Sequence, residues 1–154
     1  MIKMSEGLSN YYIDHVMFKC SNIYKGAFSS DNFPKNFKAP YSMIINLSQL
    51  NEKGSHFIAI IEKNNYMIYF DSFGFNCFVP NICKYINSKH VKKFYNFKAI
   101  QHPSSSFCGL FAMAFCLWME KTDKNLDYFL QQFNSDTKQN DYICTQIIKK
   151  LIYI

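Results

Sequence analysis

Four polar residues in this 154-residue chain have types and an order suited to covalent chemistry: His56, Asp71, Gln101 and Cys108. Cysteine catalysis needs a thiolate, a base that generates it and later protonates the leaving group, and a group that orients the base. It also needs N–H donors aimed at the oxyanion that develops during attack. Cys108 stands where the polar run Pro103-Ser104-Ser105-Ser106 gives way to an apolar stretch. If that stretch is helical, the N–H groups and dipole at its start stabilise a thiolate there. Gly109 beside it adds no bulk, so a substrate could approach the sulfur. Each residue alone has a plainer reading. A cysteine before an apolar helix is commonly core, a histidine at a strand start is often just polar surface, and a lone glutamine is usually a surface amide. Asp71 before Ser72 reads more readily as a turn former. The chemistry rests on the four taken together.

The elements that must carry them follow from hydrophobic periodicity. Ser9 caps a first helix through Ile13, Val16 and Met17. Residues 24–40, rich in Ser, Asn, Gly and Pro, read as loop. Residues 43–47 and 55–61 are strands separated by a polar turn at Asn51-Glu52-Lys53-Gly54. Glu62-Lys63-Asn64-Asn65 then makes a second turn into a strand at 66–70, giving an antiparallel hairpin whose loop exceeds the tightest type. Pro80 opens a helix through Ile82 and Ile86. Residues 93–100 are aromatic-rich and extended. Residues 108–121 are apolar nearly all round, which marks a buried central helix. Two amphipathic helices follow, one presenting Leu126, Phe129, Leu130 and Phe133, the other Ile143, Ile147, Ile148, Leu151 and Ile152. The expectation is one α+β domain over 1–154, with a central antiparallel sheet packed by helices and Cys108 at the N-terminus of the buried helix.

Composition narrows the function classes. Hydrophobic residues make up 49% and charged residues 18%, a balance that argues against a disordered chain. No run reaches the ~20 apolar residues of a membrane span, and Lys3 and Glu6 precede no secretory core, so an intracellular protein is expected. All seventeen basic residues are lysine, against eleven acidic ones. The absence of arginine argues against bidentate recognition of phosphate or guanine. The Lys, Ile, Asn, Phe and Tyr bias is that of an AT-rich genome, which accounts for part of the +6 net charge. The six cysteines form no C-x-x-C pair and no zinc-finger spacing, so neither a metal site nor a disulfide framework is expected.

The motifs around the four residues resemble a known family. Gly54-Ser55-His56-Phe57, Tyr69-Phe70-Asp71-Ser72-Phe73-Gly74-Phe75, Gln101 and Cys108-Gly109-Leu110-Phe111 look like the adenovirus protease (adenain) family, which belongs with the SUMO-specific, Ulp1-type cysteine proteases. The Asp71-Ser72 pair is closer to the Ulp1 branch. The seven-residue step from Gln101 to Cys108 is adenain-like. Met43-Ile44-Ile45-Asn46 and Tyr24-Lys25-Gly26-Ala27-Phe28 resemble family segments upstream, so the likeness spans roughly residues 20–120. It implies a papain-like fold with Cys108 as nucleophile, His56 as general base and then acid, and Asp71 as orienter of the imidazole. Gln101 and the Cys108 N–H would be the oxyanion donors. Phe57 stands where the family usually has tryptophan. The cysteine that links adenain to its activating peptide has no counterpart, the nearest upstream one being Cys83.

The resemblance implies a cysteine endopeptidase without cofactor, monomeric, acting on a protein or polypeptide with glycine near the cleavage site, such as a viral capsid or core precursor. The setting would be the host nucleus or cytoplasm, or the virion. An isopeptidase that removes ubiquitin or a SUMO-like protein would use the same residues. A non-catalytic peptide- or nucleic-acid-binding relative would be marked by loss of one of the four. Stimulation by DNA, also implied by the family, would act through Lys89, Lys92 and Lys93 around His90 and through Lys149 and Lys150, and would weaken as salt rises.

Overall fold

The computed structural model describes residues 8–48 and 56–154, so Lys3, Glu6, the turn at Asn51-Glu52-Lys53-Gly54 and Gly54-Ser55 of the histidine motif lie outside the described residues. Helix α1 (Asn10–Cys20) starts at Ser9, whose hydroxyl accepts the Tyr12 N–H at 3.2 Å. Then come β1 (Tyr24–Ser29), β2 (Tyr41–Asn46), β3 (Phe57–Lys63), β4 (Tyr66–Phe70), α2 (Pro80–Asn87) and β5 (Lys92–Tyr95). Helices α3 (Cys108–Lys121), α4 (Leu126–Gln131) and α5 (Asn140–Ile152) complete the order, with a 3-10 turn, Thr137–Gln139, before α5.

The fold is α+β, with the five strands in the order β1-β2-β3-β4-β5. The sheet is mixed rather than antiparallel: β2, β3 and β4 run antiparallel, whereas β1 and β5 pair in parallel at the two edges. Residues 24–40 are therefore not all loop. Tyr24 and Phe28 carry enough β-character to dock on β2, and Gly26, at φ 142°, absorbs the shift in register between Tyr24 and Ala27. The β3–β4 turn is tighter than its polar residues imply, since Lys63 pairs with Tyr66 and only Asn64 and Asn65 connect them. Conversely, the extended segment after α2 is short. Strand β5 ends at Tyr95, and an irregular run leads on to Cys108.

Strand alternation gives the sheet two apolar faces. Ile44, Phe57, Ala59, Ile61, Ile68 and Phe70 meet α3 and the helices around it, where Phe70 stacks on Phe115 with ring centroids 4.6 Å apart. Met43, Ile45, Ile58, Ile60, Met67 and Tyr69 form the opposite face with Ile82, Tyr85 and Ile86 of α2. Helix α3 is covered nearly all round, as its composition implies. Among the described residues, no helix is long and apolar enough to cross a membrane.

Gly109 corrects an expectation. It is buried, and a Cβ there would stand 3.2 Å from Ile13 Cδ1, 3.3 Å from Leu8 Cβ and 3.4 Å from Phe57 Cδ2. The missing side chain serves the close approach of α3 to α1 and β3, not the approach of a substrate. The lysine cluster also changes character. Lys89 Nζ pairs with Glu62 at 3.3 Å and lies over the Tyr41 and Tyr85 rings, so it is drawn onto the sheet rather than presented to a polyanion.

Candidate active site

His56 immediately precedes β3 and Asp71 immediately follows β4. Because Ala59 pairs with Phe70 in the antiparallel register, the start of one strand lies beside the end of the other. The two side chains meet there, His56 Nε2 to Asp71 Oδ1 at 2.9 Å. Asp71 is fully buried, and its position is fixed from three sides. Its N–H donates to Asn96 Oδ1 at 2.9 Å, Asn96 Nδ2 donates to its carbonyl at 2.5 Å, and the Phe73 N–H donates to Oδ1 at 2.8 Å. A desolvated carboxylate needs such partners, because an unpaired buried charge costs several kcal/mol. Oδ2 is buried and has none among the described residues, which leaves His56 as the partner that balances the charge.

The imidazole is enclosed as well. The Phe73 ring covers it at a centroid distance of 5.0 Å and a tilt of 30°. Its second nitrogen, Nδ1, is buried and has no hydrogen-bond partner among the described residues. Cys108 is the group that acts on the ring besides Asp71. Burial alone would lower the His56 pKa, but the Asp71 hydrogen bond, and after it the Cys108 thiol, outweigh burial and raise it to about 9. The ring is therefore protonated at neutral pH and faces the sulfur as an acid. An imidazolium there can hold a thiolate as an ion pair and then protonate a leaving group.

Cys108 is the first residue of α3, half-buried, and no side chain caps that helix: Phe107 supplies the cap position without a side-chain bond. The first N–H groups of α3 thus keep their donor capacity where negative charge on sulfur or oxygen would develop.

Gln101 lies in the irregular run between β5 and α3 and is 1% exposed. The Ser72 carbonyl accepts the N–H groups of Ile100 (2.9 Å) and Gln101 (3.1 Å), and the Ser72 hydroxyl donates to Gln101 Oε1 at 2.5 Å. The serine after Asp71 thereby ties Gln101 to the end of β4. The amide nitrogen, however, is turned toward the loop ahead of Cys108, donating to Ser105 O at 3.0 Å and Ser105 Oγ at 3.2 Å. Ser105 Oγ also accepts the Phe107 N–H at 3.1 Å and donates to Asp141 Oδ1 of α5 at 2.7 Å. Asn140 Nδ2 reaches the Ile100 carbonyl at 2.8 Å. The structure thus joins His56 and Asp71 directly, brings Cys108 close enough to act on the imidazole, and connects Gln101 to Asp71 through backbone and serine. Sequence reasoning missed Asn96, Ser105, Asn140 and Asp141. Asn96 had a signal, a polar residue inside an aromatic run; the others had none. Among the described residues, no group of three His, Cys, Asp or Glu side chains could hold a metal ion.

Gly74 holds this geometry together. Its N–H closes a turn onto the Asp71 carbonyl at 2.8 Å, and its φ is +74°. A Cβ there would meet Phe97 O at 2.8 Å and the Lys98–Ala99 peptide at 3.0 Å, all backbone atoms leading toward Gln101. Gly74→Ala combines left-handed strain with a backbone collision, and a loss of about 2–4 kcal/mol is expected. Urea unfolding of the two proteins measures it; an unchanged midpoint would mean that the turn does not brace residues 97–101.

No protein-family model and no curated protein matches this chain. Among solved structures, it is similar to the central domain of the uncharacterized Lpg1148 protein from Legionella pneumophila. The TM-score is 0.54 at 10% sequence identity, over 95% of this chain and 96% of that one. The likeness is one of fold.

Proposed function

We propose that this chain is a cysteine endopeptidase of the adenain/Ulp1 type, cleaving beside glycine in a viral or virus-like precursor protein. The observation that carries the reading is the His56–Asp71 pair, with Nε2 at 2.9 Å from a fully buried carboxylate and Nδ1 left for the half-buried thiol that begins α3. In this mechanism the Cys108 thiolate attacks the scissile carbonyl, and His56 protonates the departing amine through Nδ1. The neutral imidazole then takes a proton from the water that hydrolyses the thioester. Asp71 holds the ring by Nε2 throughout, as the third member of a triad does.

The oxyanion would form beside the Cys108 N–H. For Gln101 to add a second donor, its longer bond, to Ser105 Oγ, is the one exchanged for the substrate oxygen. That role is separable from bracing. Gln101→Ala is expected to lower kcat by roughly 100-fold or more with little change in KM, the loss of one oxyanion donor. A fall in stability with kcat unchanged would make Gln101 a brace of the 101–105 loop and nothing more.

The reading itself is tested by incubating the protein with Gly-containing peptides from capsid precursors and, in parallel, with ubiquitin and SUMO-like conjugates. Turnover of the peptides alone is expected. Turnover of the conjugates alone would make the chain an isopeptidase working with the same residues, and no turnover of either would remove the protease reading.

A further inference from the structure

Two cysteines outside the candidate active site face one another. Cys77, in the loop after β4, and Cys83, in the first turn of α2, have their Sγ atoms 2.7 Å apart. That separation already approaches the ~2.05 Å of an S–S bond, so the side chains converge as bridging requires. Both are half-buried, unlike the core thiols Cys116 and Cys144. They line a cleft of about 420 Å³ together with Ile86, Asn87, Tyr95 and Phe97, which gives a small disulfide reagent a route to the sulfurs. Among the described residues, no third ligand stands with them to make a metal site.

We propose that Cys77 and Cys83 form a thiol–disulfide exchange site whose co-reactant is a low-molecular-weight disulfide such as glutathione disulfide. Burial, and after it the neighbouring Cys83 sulfur, push the Cys77 thiol up to about 12, so the Cys83 thiolate attacks the reagent, forming a mixed disulfide and expelling one glutathione thiolate. The second protein thiol gives its proton to solvent and attacks the protein sulfur of that mixed disulfide, expelling the second glutathione. Two S–H bonds are lost and one S–S bond is formed; the cysteine pair is oxidised by two electrons and the reagent is reduced to two glutathiones. The bond ties the loop that leaves Asp71 to α2. The site does not depend on the protease reading, and its readout is mass rather than activity.

The test exposes the whole protein to a series of glutathione disulfide-to-glutathione ratios, quenches the thiols and maps the peptides by mass. The expected product is a 77-to-83 cross-link lighter by two hydrogen atoms and carrying no glutathione, appearing at a lower ratio than any adduct on Cys20. In Cys77→Ser, Cys83 should instead retain one glutathione, because the resolving sulfur is gone. Oxidation should raise the thermal midpoint of the wild type and leave that of Cys77→Ser unmoved. Glutathione retained on both cysteines, a bond to a different cysteine, or two unreacted thiols at ratios that modify Cys20 would each overturn the proposal.

Discussion

Cys108→Ala is expected to lower peptide cleavage by roughly 10⁴-fold or more, to background, while the thermal transition stays close to that of the wild type. The size of the effect follows from the absence of a substitute. Cys116 lies two turns further along the same helix, fully buried, with its thiol pushed up to about 12 by burial. Cys144 is likewise buried, and its thiol is raised by the same cause. Neither can supply a thiolate at neutral pH. The fold tolerates the change because Cys108 is half-buried at the helix start, and alanine is the best helix former. A substrate-based thiol probe should label Cys108 in the wild type and nothing in the variant. Cleavage that persists in Cys108→Ala would place the nucleophile elsewhere.

Asp71→Asn is expected to cut kcat/KM by roughly 10³- to 10⁴-fold, because the amide keeps the bond to His56 but not the charge that stabilises the imidazolium. The same substitution has a second, independent signature. His56 binds its proton more tightly in the folded chain than in the unfolded one, with a pKa near 9 against an ordinary 6.5. Its contribution to stability is therefore complete below pH 6.5 and is lost as pH rises through about 9. The shift corresponds to something on the order of 3 kcal/mol at most. Wild-type unfolding free energy should fall across that window, and the fall should flatten in Asp71→Asn. The basic limb of kcat/KM should move to lower pH in step, since it reports the same imidazolium. If the wild type shows no such decline, His56 is not held as the cation and the ion-pair form of the site is wrong.

The sequence made the helices and inner strands legible because their burial is repeated. Residues 66–70 and 108–121 are bounded as the apolar pattern bounds them, since many residues agree on one face. The edges escaped it. β1 has one neighbour and a glycine in its middle, so loop-forming composition outweighed its short alternation. The four chemistry-bearing residues were visible through motif order, but the network around them was not. Nothing in Ser104-Ser105-Ser106 marks the middle serine as the one that bridges Gln101 and Asp141. Nor does local pattern tell whether Gly109 clears space for a substrate or for Ile13 and Phe57, because both uses ask for the same missing Cβ.

The two-residue turn between β3 and β4 has a consequence for assembly. His56 and Asp71 are fifteen positions apart and joined by a single hairpin, whereas the chain from His56 to Cys108 runs 52 positions and passes through α2 and β5. Closing the longer segment costs about 1 kcal/mol more in chain entropy, from the logarithmic dependence on length. It also waits for α3 to dock on the sheet. Hairpins form on the microsecond scale, well before such long-range packing. A nascent chain can therefore bring the imidazole and its carboxylate together while the sulfur is still remote, so that docking of the buried helix is the event that brings the third residue to the other two.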